Sequence, residues 1–144
     1  MTLRLSAENE NASPEDVTFV GDQLIRFNRA NAPDPNWSHL RLFLRDEQGA
    51  IRGGLLGDIY HGWLYVAILW IDEAHRGQGH GQELLRQAEE EAAARGCHSA
   101  WLDTFAFQAP DFYPRLGYQQ FGRLEDYPKG VARHFFWKKL TPAE

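Results

Sequence analysis

The sequence predicts an α+β domain whose sheet is mixed but mostly antiparallel, flanked by helices and joined once by a βαβ crossover. Three observations carry this reading. Residues 63–71, Trp-Leu-Tyr-Val-Ala-Ile-Leu-Trp-Ile, form an uncharged apolar and aromatic run. That is the composition of a strand covered on both faces, and it is too short to span a bilayer. A glycine-rich turn and a long amphipathic helix follow, and the next apolar segment, residues 98–104, returns parallel to the first through that helix. On either side lie short strand-like segments joined by tight turns, so antiparallel pairs flank the parallel one.

Composition bounds the rest. A chain of 144 residues with 43% hydrophobic residues makes one domain, 1–144, with a core that can stand alone. The net charge of −5 and the lack of a Lys/Arg cluster argue against nucleic acid or an anionic membrane as partner, while a cationic acceptor is tolerated. The opening Met1-Thr2-Leu3-Arg4-Leu5-Ser6 lacks the apolar run of a signal peptide. The lone Cys97 excludes an internal disulfide and a cysteine-built metal site, and the cytoplasm is the default compartment. Between Gly96 and His98 it reads as a small buried filler. His75, His80, His98 and His134 are scattered without ligand spacing, so no metal is expected.

Taken in order, residues 2–6 read as a short strand and residues 7–12 as a polar loop. Ser13-Pro14-Glu15-Asp16 is a helix start, with a hydroxyl at N-cap, proline at N1 and acids in the first turn. The helix runs to about Ala30, and Val17, Val20, Leu24 and Phe27 form its expected buried stripe. Pro33 and Pro35 end it in a loop that carries Trp37. Residues 40–45 and 50–60 read as strands joined by the turn Asp46-Glu47-Gln48-Gly49. Gly53, Gly54 and Gly57 suggest a bulge or a close backbone approach in the second of them. His61-Gly62 has the form of a type I′ hairpin turn into the central strand.

The long helix carries Leu84, Leu85, Ala88 and Ala92 on one face and Glu83, Arg86, Glu89, Glu90 and Arg95 on others, and Gly96 stops it. After the parallel strand a short helix within residues 109–117 closes at Gly117, and residues 118–124 and 131–140 supply the last two strands.

The chemistry begins at Arg76-Gly77-Gln78-Gly79-His80-Gly81. Glycines let the backbone take unusual φ/ψ values, and a helix opening there presents free N–H groups and a positive dipole end, a place for phosphate. The bland alternative is an ordinary strand-to-helix turn. No Lys-Ser or Lys-Thr pair follows, so this is not a Walker A loop, and Gly-x-Gly-x-Gly differs from the dinucleotide fingerprint.

What the stretch resembles is motif A of the GNAT superfamily of acyl-CoA-dependent N-acetyltransferases, Gln/Arg-x-x-Gly-x-Gly/Ala, here Arg76, Gly79 and Gly81. A second resemblance, to Ala-x-x-Phe-Tyr-x-x-Leu-Gly-Phe/Tyr, falls on Ala109, Phe112, Tyr113, Leu116, Gly117 and Tyr118 in full register. The order of elements extends the likeness over nearly the whole chain. Two positions depart from the pattern. Ala106 stands where the family often has asparagine, and Pro114 where it usually has a polar residue.

The resemblance implies a GNAT-like fold with a splayed central strand pair, and an enzyme moving acetyl from acetyl-CoA to a primary amine of a small molecule or peptide. It implies that backbone groups near Leu69, Trp70 and Ile71 bind the pantetheine arm and thioester oxygen. Arg76, Gly77, Gln78, Gly79, His80, Gly81 and Gln82 then hold the pyrophosphate. Tyr113 is the candidate acid for the departing thiolate, the alternative being a ring packed under the cofactor with a structural hydrogen bond. An alkyl amine with a pKa near ~10.4 must lose a proton before it attacks. Asp103 is the leading candidate base, with Asp58, Tyr60, His61 and a water chain as other routes. Trp37, Tyr60, Trp63, Trp70 and Phe107 line an acceptor pocket or belong to the core. The rival to the enzyme is a non-catalytic acyl-CoA-binding regulatory or sensor module. A homodimer through the last strands is common in the family.

Overall fold

The computed structural model describes residues 1–141, so residues 142–144 of the expected domain lie outside the described residues. The chain divides into two units, Met1–Asp34 and Pro35–Glu144.

The first unit is built on α1 (Pro14–Asn31). The expected start is found: the Ser13 hydroxyl accepts from the Asp16 N–H at 3.1 Å, with Pro14 in the first turn. The stripe Val17, Val20, Leu24 and Phe27 is not buried; these side chains are 61–68% exposed. The periodicity is helical, but the unit holds no second element of comparable length to cover it. Residues 2–6 form no strand for a similar reason, since a strand needs a partner to satisfy its backbone.

The second unit holds, among the described residues, a six-stranded sheet. Its strands are β1 (Ser38–Arg45), β2 (Ile51–Tyr60), β3 (Trp63–Ile71), β4 (Ser99–Phe105), β5 (Gln119–Leu124) and β6 (Arg133–Lys139), in the order β1-β2-β3-β4-β6-β5. Only β3 and β4 are parallel, joined through α2 (His80–Ala94); the other pairs are antiparallel. The β2–β3 hairpin turns on His61 and Gly62, with φ 49° and 78°, the two positive values a type I′ turn demands.

The apolar face of α2, Leu84, Leu85, Ala88 and Ala92, packs with Leu40, Leu55, Leu64, Val66, Leu102 and Phe136 into one core. Cys97 is buried among them, and burial pushes its thiol up, so it acts as a filler. The close approach expected along β2 is real at Gly57, where an added Cβ would stand 2.8 Å from the Tyr65 carbonyl oxygen.

The bulge itself falls on the facing strand. Leu56 pairs with Ile68 and Gly57 with Val66, leaving Ala67 as the extra residue. One extra residue reverses the alternation of faces. Leu64 and Val66 point into the core before it, and Leu69 and Ile71 pack against the core after it. Ile68 and Trp70 therefore join Trp63 and Tyr65 on the other face, where they are 52% and 45% exposed, so the second half of β3 is not covered on both faces.

The short helix is α3 (Phe112–Arg115), closed by Gly117 at φ 95° and by a bond from the Tyr118 N–H to the Tyr113 carbonyl at 3.2 Å. Pro114 fits because it sits in the first turn, where a backbone N–H has no intrahelical acceptor. No helix of the described residues is long and apolar enough to cross a membrane.

Candidate active site

β3 and β4 pair only from Trp63↔Ser99 to Val66↔Leu102. Past the Ala67 bulge the two strands part, and among the described residues no strand pairs with residues 67–71 on the β4 side. The expected splay is present, and its cause is local. β3 bends at the bulge while β4 continues straight into its pairing with β6, up to Phe105↔Arg133.

The gap opens into a cleft of about 800 Å³. Leu69, Trp70, Ile71, Arg76, Gly77, Gly79, His80, Gly81 and Gln82 line it, together with Asp103 and Tyr113. Of the residues singled out in the sequence, Gln78 is not on this wall; its side-chain amide donates to the Ala74 carbonyl at 3.4 Å.

The turn has the geometry its glycines imply. Gly77 and Gly79 have φ 74° and 86°, and Gly79 is the left-handed N-cap of α2. Among the described residues no side chain caps this helix, and its first backbone bond runs from the Glu83 N–H to the Gly79 carbonyl at 3.1 Å. The N–H groups of Gly79, His80, Gly81 and Gln82 thus stand at the positive end of the helix dipole, on the cleft wall. Arg76 braces the turn by donating from Nε to the Ile71 carbonyl at 2.9 Å. His75 is held to Asp72 at 3.2 Å.

Tyr113 comes from α3, its ring against Phe112, Tyr118 and Phe136. Two other tyrosines of this unit give their hydroxyls to carboxylates, Tyr118 to Glu89 at 2.8 Å and Tyr65 to Asp103 at 3.3 Å. Among the described residues nothing hydrogen-bonds the Tyr113 hydroxyl, so the structural bond that would make it a mere packing residue is missing. Burial, with the Asp103 charge adding to it, pushes its phenol up to about 12. The group stays protonated at neutral pH.

Asp103 faces the gap from β4 and is already engaged. Arg133 donates to Oδ1 from Nε at 2.7 Å and also from Nη2, and Tyr65 donates to Oδ2. Burial, then the charge and hydrogen bond of Asp103, raise the Tyr65 phenol as well. Arg133 in turn lies over the rings of Tyr127, Phe105 and Phe135. At the position of Ala106 the chain has no polar side chain, but Gln108 bonds there instead. Its Oε1 accepts from the Phe105 N–H at 2.8 Å and the Thr104 hydroxyl at 3.0 Å, and Gln108 lines the cleft.

Asp58, Tyr60 and His61 do not reach this cleft. They line a second cavity of about 520 Å³ with Trp37, Trp63, Tyr65 and Trp101. Tyr65 is common to both. Trp70 and Phe107 lie on the cleft, so the aromatics named from the sequence divide between the two cavities. Sequence reasoning missed Tyr65, Phe105 and Arg133. Tyr65 was findable as the next residue on the Trp63 face of the strand. Arg133 was not, because its link to Asp103 depends on the register between β4 and β6.

Among the described residues no group of three or more His, Cys, Asp or Glu is arranged to hold a metal ion.

Compared with known proteins, residues 10–118 match the family model described as Acetyltransferase (GNAT) family. The chain is 41% identical over 95 residues to the blasticidin-S acetyltransferase of Streptomyces morookaense, covering 65% of this chain and 70% of that one. It is 37% identical over 129 residues to an acetyltransferase of Agrobacterium fabrum, covering 90% and 94%. A solved acetyltransferase from Bacillus cereus superposes with a TM-score of 0.86 at 35% identity, covering 90% of this chain and 95% of that one.

Proposed function

Because this chain belongs to the Acetyltransferase (GNAT) family and is an acetyl-transferring enzyme, we propose that it moves acetyl from acetyl-CoA onto a primary amine of a small molecule. The observation that carries this reading is one cleft uniting an open helix N-terminus, an unpaired strand edge and an unbonded tyrosine hydroxyl. A small-molecule acceptor is supported by the relative named for acetylating blasticidin S.

Acetyl-CoA supplies the acetyl group as an activated thioester. In this reading the N–H groups of residues 79–82 hold the pyrophosphate. Arg76 keeps Ile71 in place and offers its other N–H donors to phosphate oxygens. The free edge of β3 at Leu69, Trp70 and Ile71 binds the pantetheine amides and steadies the developing oxyanion with backbone N–H groups. Asp103 accepts the amine's proton at Oδ2, which Arg133 does not touch and which takes only the 3.3 Å bond from the Tyr65 hydroxyl, directly or through one water. Tyr113 donates to the departing thiolate. A phenol near 12 does not transfer its proton fully to a thiolate near ~8.5, so its role is a hydrogen bond that offsets the forming charge until solvent supplies the proton.

Residues 1–144 act as one transferase domain in this reading, supported by a family match that runs from residue 10 to residue 118. The cytoplasm is the compartment it implies, in keeping with a single buried thiol. A homodimer through the edge strand β5 belongs to the same proposal, supported by the exposure of Phe121 and Leu124 there.

The test has two parts. Thermal unfolding with acetyl-CoA at about a hundred times its dissociation constant should show roughly 2.7 kcal/mol of stabilisation, with none from ATP or NAD at equal concentration. Release of free thiol is then followed with a panel of small amines. Stabilisation without thiol release from any amine would remove the amine acceptor from the proposal.

A further inference from the structure

The second cavity lies on the sheet face turned away from α2, since Trp63 and Tyr65 alternate with the core residues Leu64 and Val66. Five of its seven lining residues are Trp or Tyr; the others are Asp58 and His61. Among the described residues no Lys or Arg is on its wall, and Asp58 is its one acidic group. The Asp58 carboxylate is oriented by His39 Nδ1 at 2.8 Å, and His39 in turn packs edge-on against Trp37. Tyr65 and Trp101 stand parallel, ring centroids 4.3 Å apart and planes 22° from each other, so they form a layered aromatic wall. A volume of about 520 Å³ suits a small ligand.

Aromatic faces beside a lone carboxylate recognise one chemistry well, a flat body bearing positive charge. The rings take the body by stacking and the charge by cation–π attraction, and the carboxylate, here also bonded to His39, adds a counter-charge. The cavity also adjoins the reacting centre, because Tyr65 lines both it and the acetyl-CoA cleft and bonds Asp103.

We propose that this cavity is the acceptor pocket and that it selects amines carried on a flat aromatic or heteroaromatic body with a cationic group. The proposal rests on the amine-acetylating reading above and specifies its substrate class. The acceptor's ring lies against Trp63, Tyr65 and Trp101, its charge faces Asp58, and its amine extends past Tyr65 toward the gap between β3 and β4.

The test uses the intact chain and a probe that cannot be acetylated, benzyltrimethylammonium, followed by quenching of tryptophan fluorescence. Tetramethylammonium and benzyl alcohol serve as the cation without a ring and the ring without a cation. The expected result is saturable quenching by benzyltrimethylammonium with a Kd at least about tenfold below that of either control, and competitive inhibition against the amine in acetyl transfer. Asp58→Asn should weaken the aromatic cation at least about fivefold, and so should Trp37→Ala, both surface changes that leave the core intact.

Equal binding of the three probes, or no change in both variants, would overturn the proposal. So would binding that does not compete with the amine. If thiol is released as fast with aliphatic amines as with aromatic cationic ones, the pocket fails while the transferase reading stands. If the aromatic cation binds with the expected dependences and no amine releases thiol, the amine-acetylating reading fails and the ligand class of the pocket stands.

Discussion

Arg133 grips Asp103 across the β4–β6 pair, donating from both Nε and Nη2 to the same carboxylate oxygen, Oδ1, with Nε at 2.7 Å. The side chains are 21% and 11% exposed, so the pair is largely withdrawn from water and its loss is felt. Arg133→Met leaves the carboxylate without its counter-charge and should destabilise the fold by about 1–3 kcal/mol in urea unfolding. Adding Asp103→Asn should recover part of that loss, which a double-mutant cycle reads as coupling. Asp103→Asn alone should lower turnover at least about tenfold while acetyl-CoA still protects against heat. Unchanged turnover would hand the amine's proton to a water chain.

Tyr113→Phe deletes one hydroxyl from a side chain whose ring contacts are otherwise kept. Turnover should fall at least about tenfold with little change in acetyl-CoA affinity, since the lost bond forms only as the thiolate departs. A rise in the KM for acetyl-CoA at constant kcat would instead assign Tyr113 to cofactor packing.

Alkaline stability reports the same hydroxyl. Its folded pKa, about 12, lies above the unfolded value of about 10. The folded state therefore keeps its proton longer than the unfolded state does. The resulting stability is whole below pH ~10 and is lost as the pH climbs toward about 12. Tyr65 and Tyr118 are raised too, so the wild-type protein should lose stability over that window and Tyr113→Phe should lose less. Urea midpoints at pH 9, 10 and 11 would measure the difference, and parallel curves would count against the buried-phenol reading.

Gly79 and Gly81 differ in backbone strain while neither is crowded. An added Cβ at Gly79 meets nothing within 4 Å, yet φ is +86°. Gly79→Ala should cost about 1 kcal/mol by strain alone and, by turning the N–H groups of the helix start, weaken acetyl-CoA at least about tenfold. At Gly81 the added atom stands 3.6 Å from Phe112 Cζ, an ordinary contact, so Gly81→Ala should unfold near the wild-type midpoint. Equal losses of stability in the two variants would contradict this assignment.

Much of the fold was legible because its signals are local. The Ser13-Pro14 start, the Gly96 and Gly117 stops and the His61-Gly62 hairpin each act through a few neighbouring residues, and the structure shows all of them. The glycine turn and the motif around Tyr113 were legible for the same reason, and both lie on one cleft.

What the tertiary structure decided depends on register. The bulge lands on Ala67, beside the point where Gly57 of β2 lies close to β3, and the extra residue sends Leu69 and Ile71 inward and Trp70 outward. The Asp103–Arg133 grip and the division of aromatics between two cavities follow from which strands lie side by side. The exposed stripe of α1 marks the same boundary: a helical period says which side chains share a face, and only the neighbours a chain folds against say whether that face is covered.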